Sequence, residues 1–167
     1  MKIDDKTLWT FFEPLYKRLS DEERKRVAAE AAAAFFGKGG YYDMTLGDFV
    51  TLIGGNAQGV FPNYGKQLCT VFEWLSADGL KDFAKQYAET LEKFVPPTDA
   101  DEQNAQNVCY KMTTAEGLLI FARDYFGLKS FAQAAEITLG DLLIAKKDAY
   151  NKIVYQRRLA AIKSKKK

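Results

Sequence analysis

The sequence of 167 residues contains no histidine, and this absence excludes several classes of active site. Histidine is the commonest general base and the commonest metal ligand in proteins, and it activates many serine and cysteine nucleophiles. An enzyme without histidine would need paired carboxylates, an activated lysine or a phosphate-binding loop. No two carboxylates share an apolar face in this sequence, so acid–base catalysis has no candidate residues. We therefore predict a protein that is not an enzyme.

Cysteine is scarce as well, and long apolar runs are missing. Cys69 and Cys109 are isolated on predicted helices, which is typical of buried thiols in a reducing compartment, and two thiols are too few for a zinc site. The first residues turn acidic at once, without the apolar segment of a signal peptide. No apolar run approaches the roughly 20 residues that span a membrane. We therefore expect no membrane contact and a cytoplasmic location, or incorporation into an assembly made in the cytoplasm.

Two stretches resemble ligand-binding loops, but each lacks residues that such a loop requires. Gly59 and Gly65 are separated by five residues instead of the four of a P-loop, Gln67 stands where serine or threonine would bind Mg²⁺, and no strand precedes them. Residues 99–102 resemble the start of a calcium loop without its glycine or its final glutamate. The sequence therefore predicts no cofactor, no metal ion and no small-molecule ligand.

Helical periodicity dominates the chain, whereas strand patterns are nearly missing. The first helix is indicated by apolar residues at helical spacing, namely Leu8, Phe11, Phe12, Leu15 and Leu19. Pro14 lies off that apolar face, and we expect a kink or a break there. Further helices are predicted after Ser20 and Thr45, at 64–75, 80–94 and 108–112, after Thr113 and from Thr138 to about Ile162, with one short turn at 131–135. The predicted fold class is all-α, a compact bundle of about seven or eight helices.

A repeated motif indicates how this bundle is organised. Thr-Leu-Gly-Asp at residues 45–48 recurs at 138–141, and two Ser/Thr-x-x-Glu capping boxes recur at the same offset of 93 residues. We predict two tandem diverged pseudo-repeats, 1–97 and 98–162, followed by a basic tail at 163–167. Each repeat is too small to bury its apolar faces alone, so together they should form one compact domain. The helix-capping residues predicted in this way are Ser20, Glu23, Thr45, Asp48, Thr113, Glu116, Thr138 and Asp141.

Capping also explains the Thr-Leu-Gly-Asp motif itself. Its threonine is predicted to be the N-cap, and its aspartate to reach back to the cap amide at the positive end of the helix dipole. The alternative is an anion site at the two helix N-termini, which the aspartates would oppose by repelling a phosphate.

The functional indication that remains is a strong asymmetry of charge. Residues 144–167 contain nine basic residues and one acid, a net charge of +8, so that residues 1–143 carry −6 of the overall +2. The candidate contact residues are Lys146, Lys147, Lys152, Arg157, Arg158, Lys163, Lys165, Lys166 and Lys167. They could bind an acidic protein surface, including the body of a second copy, or nucleic-acid phosphates, with Tyr150 and Tyr155 stacking on bases. They could also form a solvated tail that aids solubility.

The predicted function is therefore that of a non-catalytic helical interaction or assembly subunit. A component or assembly chaperone of a larger particle, such as a phage virion, would fit this description. The C-terminal helix and tail would form its main contact surface, and the grooves beside the Phe-Gly turns at 35–37 and 125–127 a secondary one. The alternative is a nucleic-acid-associated protein that binds the phosphate backbone through the same helix and tail. A membrane-surface helix is disfavoured because the segment offers mainly alanine, isoleucine and valine on its apolar side.

Overall fold

The computed structural model describes residues 5–63, 71–96, 98 and 112–165, with side chains from residue 10 onward. Within these residues the chain forms eight α-helices and one 3₁₀ turn (Gly40–Asp43), without a β-strand, which confirms the all-α prediction. The helices are α1 (Asp5–Tyr16), α2 (Asp21–Phe36), α3 (Leu46–Ile53), α4 (Ala57–Val60), α5 (Val71–Glu92), α6 (Thr114–Tyr125), α7 (Phe131–Ala135) and α8 (Leu139–Ser164). In the described part of the chain, no helix is long and apolar enough to cross a membrane.

Several predictions concern residues that lie outside the described ranges. These are the two thiols, the loop positions Gly65 and Gln67, the calcium-like stretch at 99–102, the helix predicted around residue 108, and the last two lysines of the tail.

The helices α2 and α5 form the most extensive helix pair, because both carry small residues where they meet. Gly79 lies in the middle of α5, and a Cβ atom there would be 2.6 Å from the Cβ of Ala28 on α2. It would also be 2.5 Å from the hydroxyl oxygen of Tyr41, which donates a hydrogen bond to the carbonyl of Ser76 at 2.8 Å. The prediction of two helices divided between residues 75 and 80 is therefore wrong. Gly79 permits close helix packing inside one continuous helix.

The two Thr-Leu-Gly-Asp motifs contact each other. Thr45 and Thr138 form an isolated antiparallel β-bridge. The amide of each motif's leucine donates to the carbonyl of the residue before the other motif's threonine, at 2.8 Å for Leu46 and 2.9 Å for Leu139. Both leucine side chains are fully buried. The starts of α3 and α8 are therefore joined by a reciprocal pair of hydrogen bonds inside the core.

Close packing around the bridge involves the glycine of each motif. A Cβ atom on Gly47 would be 3.1 Å from the Cβ of Ala135, and one on Gly140 would be 3.4 Å from the carbonyl oxygen of Tyr42. Both neighbours lie three residues before the threonine of the opposite motif. Each motif therefore packs on equivalent positions of the other motif.

Tyr87 of α5 packs against the bridge between the two motifs. Its side chain is buried, its hydroxyl donates to the carbonyl of Leu139 at 2.7 Å, and its ring meets that of Phe49 edge to face at 5.3 Å. Burial raises the pKa of Tyr87, so this hydroxyl remains a hydrogen-bond donor at all ordinary pH values. One core therefore contains side chains from α3, α5 and α8 together.

Helix α1 contributes to a smaller apolar cluster at the edge of the molecule. The buried Tyr16 packs edge to face on Trp74 with ring centroids 5.6 Å apart, and Phe12 packs beside it. By contrast, Phe11 and Leu15 are 73% and 60% exposed, so the apolar face predicted for this helix is wrong at those two positions. The helix continues through Pro14 to Tyr16, so the chain does not break at this proline. Among the described elements, α1 packs mainly on α5.

The two capping boxes are complete. Ser20 and Thr113 each accept a hydrogen bond from the amide three residues on, at 3.3 Å, while the carboxylates of Glu23 and Glu116 accept from the cap amides at 2.8 Å. Each box therefore satisfies two backbone donors that the first turn of a helix leaves unpaired.

The Thr-Leu-Gly-Asp caps differ from the capping boxes. Thr45 and Thr138 accept from the amides of Asp48 and Asp141 at 3.2 and 3.1 Å, but neither of these described aspartates accepts from the cap amide. The predicted reach-back is therefore wrong. Aspartate is one methylene shorter than glutamate, and the carboxylate of Asp141 accepts instead from the hydroxyl of Thr138 at 3.0 Å.

The two capping glutamates should make stability depend on pH. Hydrogen bonds from the cap backbone hold the pKa values of Glu23 and Glu116 below their ordinary value. Their stabilisation is therefore present above the unfolded pKa of about 4.3 and is lost as the pH falls through the lower folded values. We expect Glu23→Gln/Glu116→Gln to flatten the rise in urea midpoint between about pH 3 and pH 5. Glu22→Gln, an exposed acid in the same first turn, is the control, and an equal slope in both variants would contradict this prediction.

Candidate functional site on the C-terminal helix

Helix α8 begins in the core and ends in solvent. It has 26 residues and a length of about 39 Å at 1.5 Å per residue. Leu142 and Ala145 are buried, whereas every residue from 155 to 165 is exposed. We call residues 155–165 the distal segment. It projects from the body formed by the other described residues over about 15 Å.

The predicted basic residues nearest the body are held by it. The Nζ atom of Lys146 lies 4.0 Å from the ring centroid of Phe121, and burial lowers the pKa of this lysine. The Nζ atom of Lys152 lies 2.6 Å from a carboxylate oxygen of Asp148, which raises the pKa of Lys152. Lys147 is exposed. Two of these three predicted contact residues are therefore engaged within the chain.

The remaining described cations lie together on the distal segment. They are Arg157, Arg158, Lys163 and Lys165, and all four are exposed. No acidic residue occurs between 149 and 165, so the distal segment carries a net charge of +4. A dense positive charge of this kind attracts an acidic partner over roughly the Debye length, about 8 Å at physiological salt.

The distal segment also exposes an apolar stripe, which we define as Tyr155, Leu159 and Ile162. These side chains are 67%, 36% and 54% exposed, and their i, i+4, i+7 spacing places them on one face of the helix. At 100° per residue this face is opposite to Tyr150, which packs on Phe94 of the body with ring centroids 6.0 Å apart. The stripe therefore faces away from the molecule's own core.

The spacing of this stripe is visible in the sequence but was not predicted to form a contact surface. The apolar side predicted for this segment was mainly alanine, isoleucine and valine, and Ala160 is exposed. Of the two tyrosines considered for base stacking, Tyr150 is half-buried against the body and Tyr155 alone is open to a partner.

The aromatic pairs before the Phe-Gly turns are only partly accessible. Phe35 is 40% exposed, whereas Phe36 is half-buried against Phe61. Tyr125 and Phe126 are each 37% exposed and pack edge to face, with ring centroids 5.2 Å apart. These positions present less free apolar surface than the stripe.

Known proteins give no further guide to this surface. No protein family, curated protein or solved structure matches the chain. Within the described ranges, no group of three or more histidine, cysteine, aspartate or glutamate residues could hold a metal ion. The function is therefore inferred from the chemistry of the exposed surface.

Proposed function

We propose that this protein is a non-catalytic interaction or assembly subunit that binds an acidic protein surface through the distal segment of α8. The observation that supports the proposal is the combination of the exposed stripe with four exposed cations on a helix that projects from the body. Burying a leucine or isoleucine side chain contributes about 1.5–3 kcal/mol, and the stripe offers two of them beside a tyrosine. The stripe would supply affinity, and the cations would supply the rate of association and the choice of partner.

Charge argues against pairing between two distal segments. Each carries +4 without an acid, so placing two side by side would bring like charges together. An acidic groove or helix on another protein, or on the body of a second copy, would complement the segment instead. A subunit of a larger particle would use such a helix to hold a neighbour during assembly.

The stripe distinguishes a protein partner from nucleic acid. Phosphates would be drawn to the cations and would leave most of the apolar stripe uncovered. A partner that covers both features has to present apolar surface surrounded by acids, which is the anatomy of a protein interface. The proposal therefore favours protein over the nucleic-acid alternative.

Glutamine substitutions on the distal segment test this proposal, because glutamine is neutral and a good helix former. The stripe variant is Tyr155→Gln/Leu159→Gln/Ile162→Gln, and the matched control on the opposite face is Ala160→Gln/Ala161→Gln. We expect the full chain to capture a specific protein from an extract of its own cells. Once that protein is identified and purified, we expect the stripe variant to raise the measured Kd by about 10- to 100-fold, equivalent to about 1.4–2.8 kcal/mol, while the control leaves it unchanged.

Three further readings complete the experiment. Sedimentation of the protein alone shows whether the partner is a second copy, and labelled oligonucleotides at several salt concentrations show whether it is nucleic acid. Neutralising all four distal cations with glutamine should slow association with the partner, with less effect on dissociation. Capture that is equal in the wild type and the stripe variant, or tight oligonucleotide binding without a protein partner, would overturn the proposal.

We infer further that the two halves of the bundle derive from one helical unit, with the division near residue 97. Matching caps at Ser20 and Thr113 support this inference, as do the reciprocal hydrogen bonds between the two Thr-Leu-Gly-Asp motifs. The helices that follow the two boxes differ in length, 16 residues in α2 and 12 in α6. In the second unit, the shorter helix is followed by a longer connection, which contains α7.

A further inference from the structure

A second surface feature is an apolar groove lined by residues of α3, α5, α6 and α8, with a cavity volume of about 560 Å³. Its walls include the buried side chains Phe49, Leu91 and Leu118, and its rim includes Ile53 and Val95, which are 49% and 59% exposed. The volume falls within the roughly 300–1,000 Å³ of small-molecule sites, which are mostly apolar with a few polar groups. The groove therefore has the size and the chemistry of a ligand site.

Gly117 keeps part of this groove open. It lies in the interior of α6, where glycine is less favourable than alanine. Its φ angle is negative, and a Cβ atom added there would meet no atom within 4 Å. Neither backbone conformation nor packing within the described residues requires glycine at this position. What its missing side chain does provide is free space over the groove.

Lys146 supplies a positive charge in the wall of the groove. Its ammonium group lies against the ring of Phe121, and its side chain is half-buried. No carboxylate of the described residues lies within 4.0 Å of it, including that of Glu92, the one described acid that lines the groove. A cation that has lost part of its hydration without gaining an anion would gain from one.

We propose that this groove binds a long-chain carboxylate, with the apolar chain along Phe49, Leu91 and Leu118 and the head group paired with Lys146. Each methylene that leaves water adds to the affinity, so chain length supplies most of it. The lysine supplies the preference for a negative head group. The site is separate from the distal segment and independent of the protein-binding proposal.

Three probes of equal chain length test the role of charge in the full-length protein. They are dodecanoate, dodecanol and dodecyltrimethylammonium. The two ionic probes are titrated calorimetrically below the concentrations at which they form micelles, and dodecanol below its solubility limit. We expect dodecanoate to bind at least about tenfold more tightly than dodecanol, equivalent to about 1.4 kcal/mol, because only its head group forms a charge-assisted hydrogen bond with Lys146. We expect the cationic probe to bind most weakly. Equal affinity for all three head groups, or no binding of dodecanoate, would overturn the proposal.

Two substitutions locate the site. Lys146→Met should lower the affinity for dodecanoate about tenfold, to that for dodecanol, and leave dodecanol unchanged. Lys147→Met removes the same charge from the exposed neighbouring position and should change the affinity for neither probe.

Gly117→Leu should fill the groove and abolish binding of dodecanoate and dodecanol, while its urea midpoint shows that the protein remains folded. If that variant does not fold, Ile53→Asp at the rim replaces it and should weaken dodecanoate by at least tenfold. Unchanged binding to the folded groove variant would place the ligand elsewhere and overturn the proposal.

Discussion

Leu46→Ala and Leu139→Ala should each lower the free energy of unfolding by about 2–5 kcal/mol, the usual range for leucine removed from a packed core. Both side chains are fully buried, one at the start of α3 and one at the start of α8. Their amides form the bridge between the two motifs, so neither helix start can shift to fill the cavity without breaking a hydrogen bond. Urea unfolding followed by circular dichroism measures the loss. For a domain with a total stability of about 5–15 kcal/mol the effect is large.

The leucine of the distal segment provides the control. Leu159→Ala lies on the exposed stripe and should change stability by less than about 0.5 kcal/mol. The two core substitutions should have similar effects, since each motif meets the other in the same way. Their combination should depart from additivity by about 0.5–3 kcal/mol because both side chains belong to one cluster. A Leu139→Ala variant as stable as Leu159→Ala would contradict the central position of the bridge.

The helix caps were predictable from sequence because their partners are three residues apart. Ser20 and Glu23 meet wherever the backbone begins a helix, and the same holds for Thr113 and Glu116. The recurrence of Thr-Leu-Gly-Asp was equally visible. Its sequence carried no information on the contact between the two copies, which joins residues 93 positions apart. A local pattern describes what a helix start needs, whereas tertiary packing decides what lies next to it.

The exposed stripe illustrates a second limit. Periodicity shows which face of a helix is apolar, but it does not show how far the neighbouring helices extend along that face. Helix α8 packs on the body as far as about Val154, and the apolar residues beyond it have no neighbour among the described residues. On α1, Phe11 and Leu15 are exposed because the neighbouring helices pack on the face that carries Phe12 and Tyr16. The candidate site was therefore predicted in its charge and missed in its apolar component.

Interior glycines also show that a sequence pattern does not reveal the contacts of a helix. A glycine inside a helix costs about 1 kcal/mol relative to alanine, and Gly79 lies between the two helices predicted at 64–75 and 80–94. In the structure the helix continues through Gly79, because the contact with Ala28 requires the missing side chain. The same residue type in α6 has no such contact. Two interior glycines with the same propensity should therefore respond to substitution with opposite signs.

Gly79→Ala should lower the free energy of unfolding by about 1–3 kcal/mol, whereas Gly117→Ala should raise it by about 0.5–1 kcal/mol. Both variants gain the same helix propensity. At Gly79 the new Cβ would overlap the Cβ of Ala28, which cannot move unless all of α2 moves, and the hydroxyl of Tyr41, which would have to leave the carbonyl of Ser76. At Gly117 the new Cβ meets open space.

Paired urea unfolding curves of the two alanine variants measure this difference of about 1.5–4 kcal/mol. A second substitution separates the two clashes. If the hydroxyl of Tyr41 is the main obstacle, Tyr41→Phe should restore most of the stability lost in Gly79→Ala. Should contact with Ala28 dominate instead, Ala28→Gly should restore it, less about 1 kcal/mol for a new glycine inside α2. Stabilisation by alanine at both glycines would mean that α2 and α5 are not in close contact at Gly79, although they form the most extensive helix pair of the described residues.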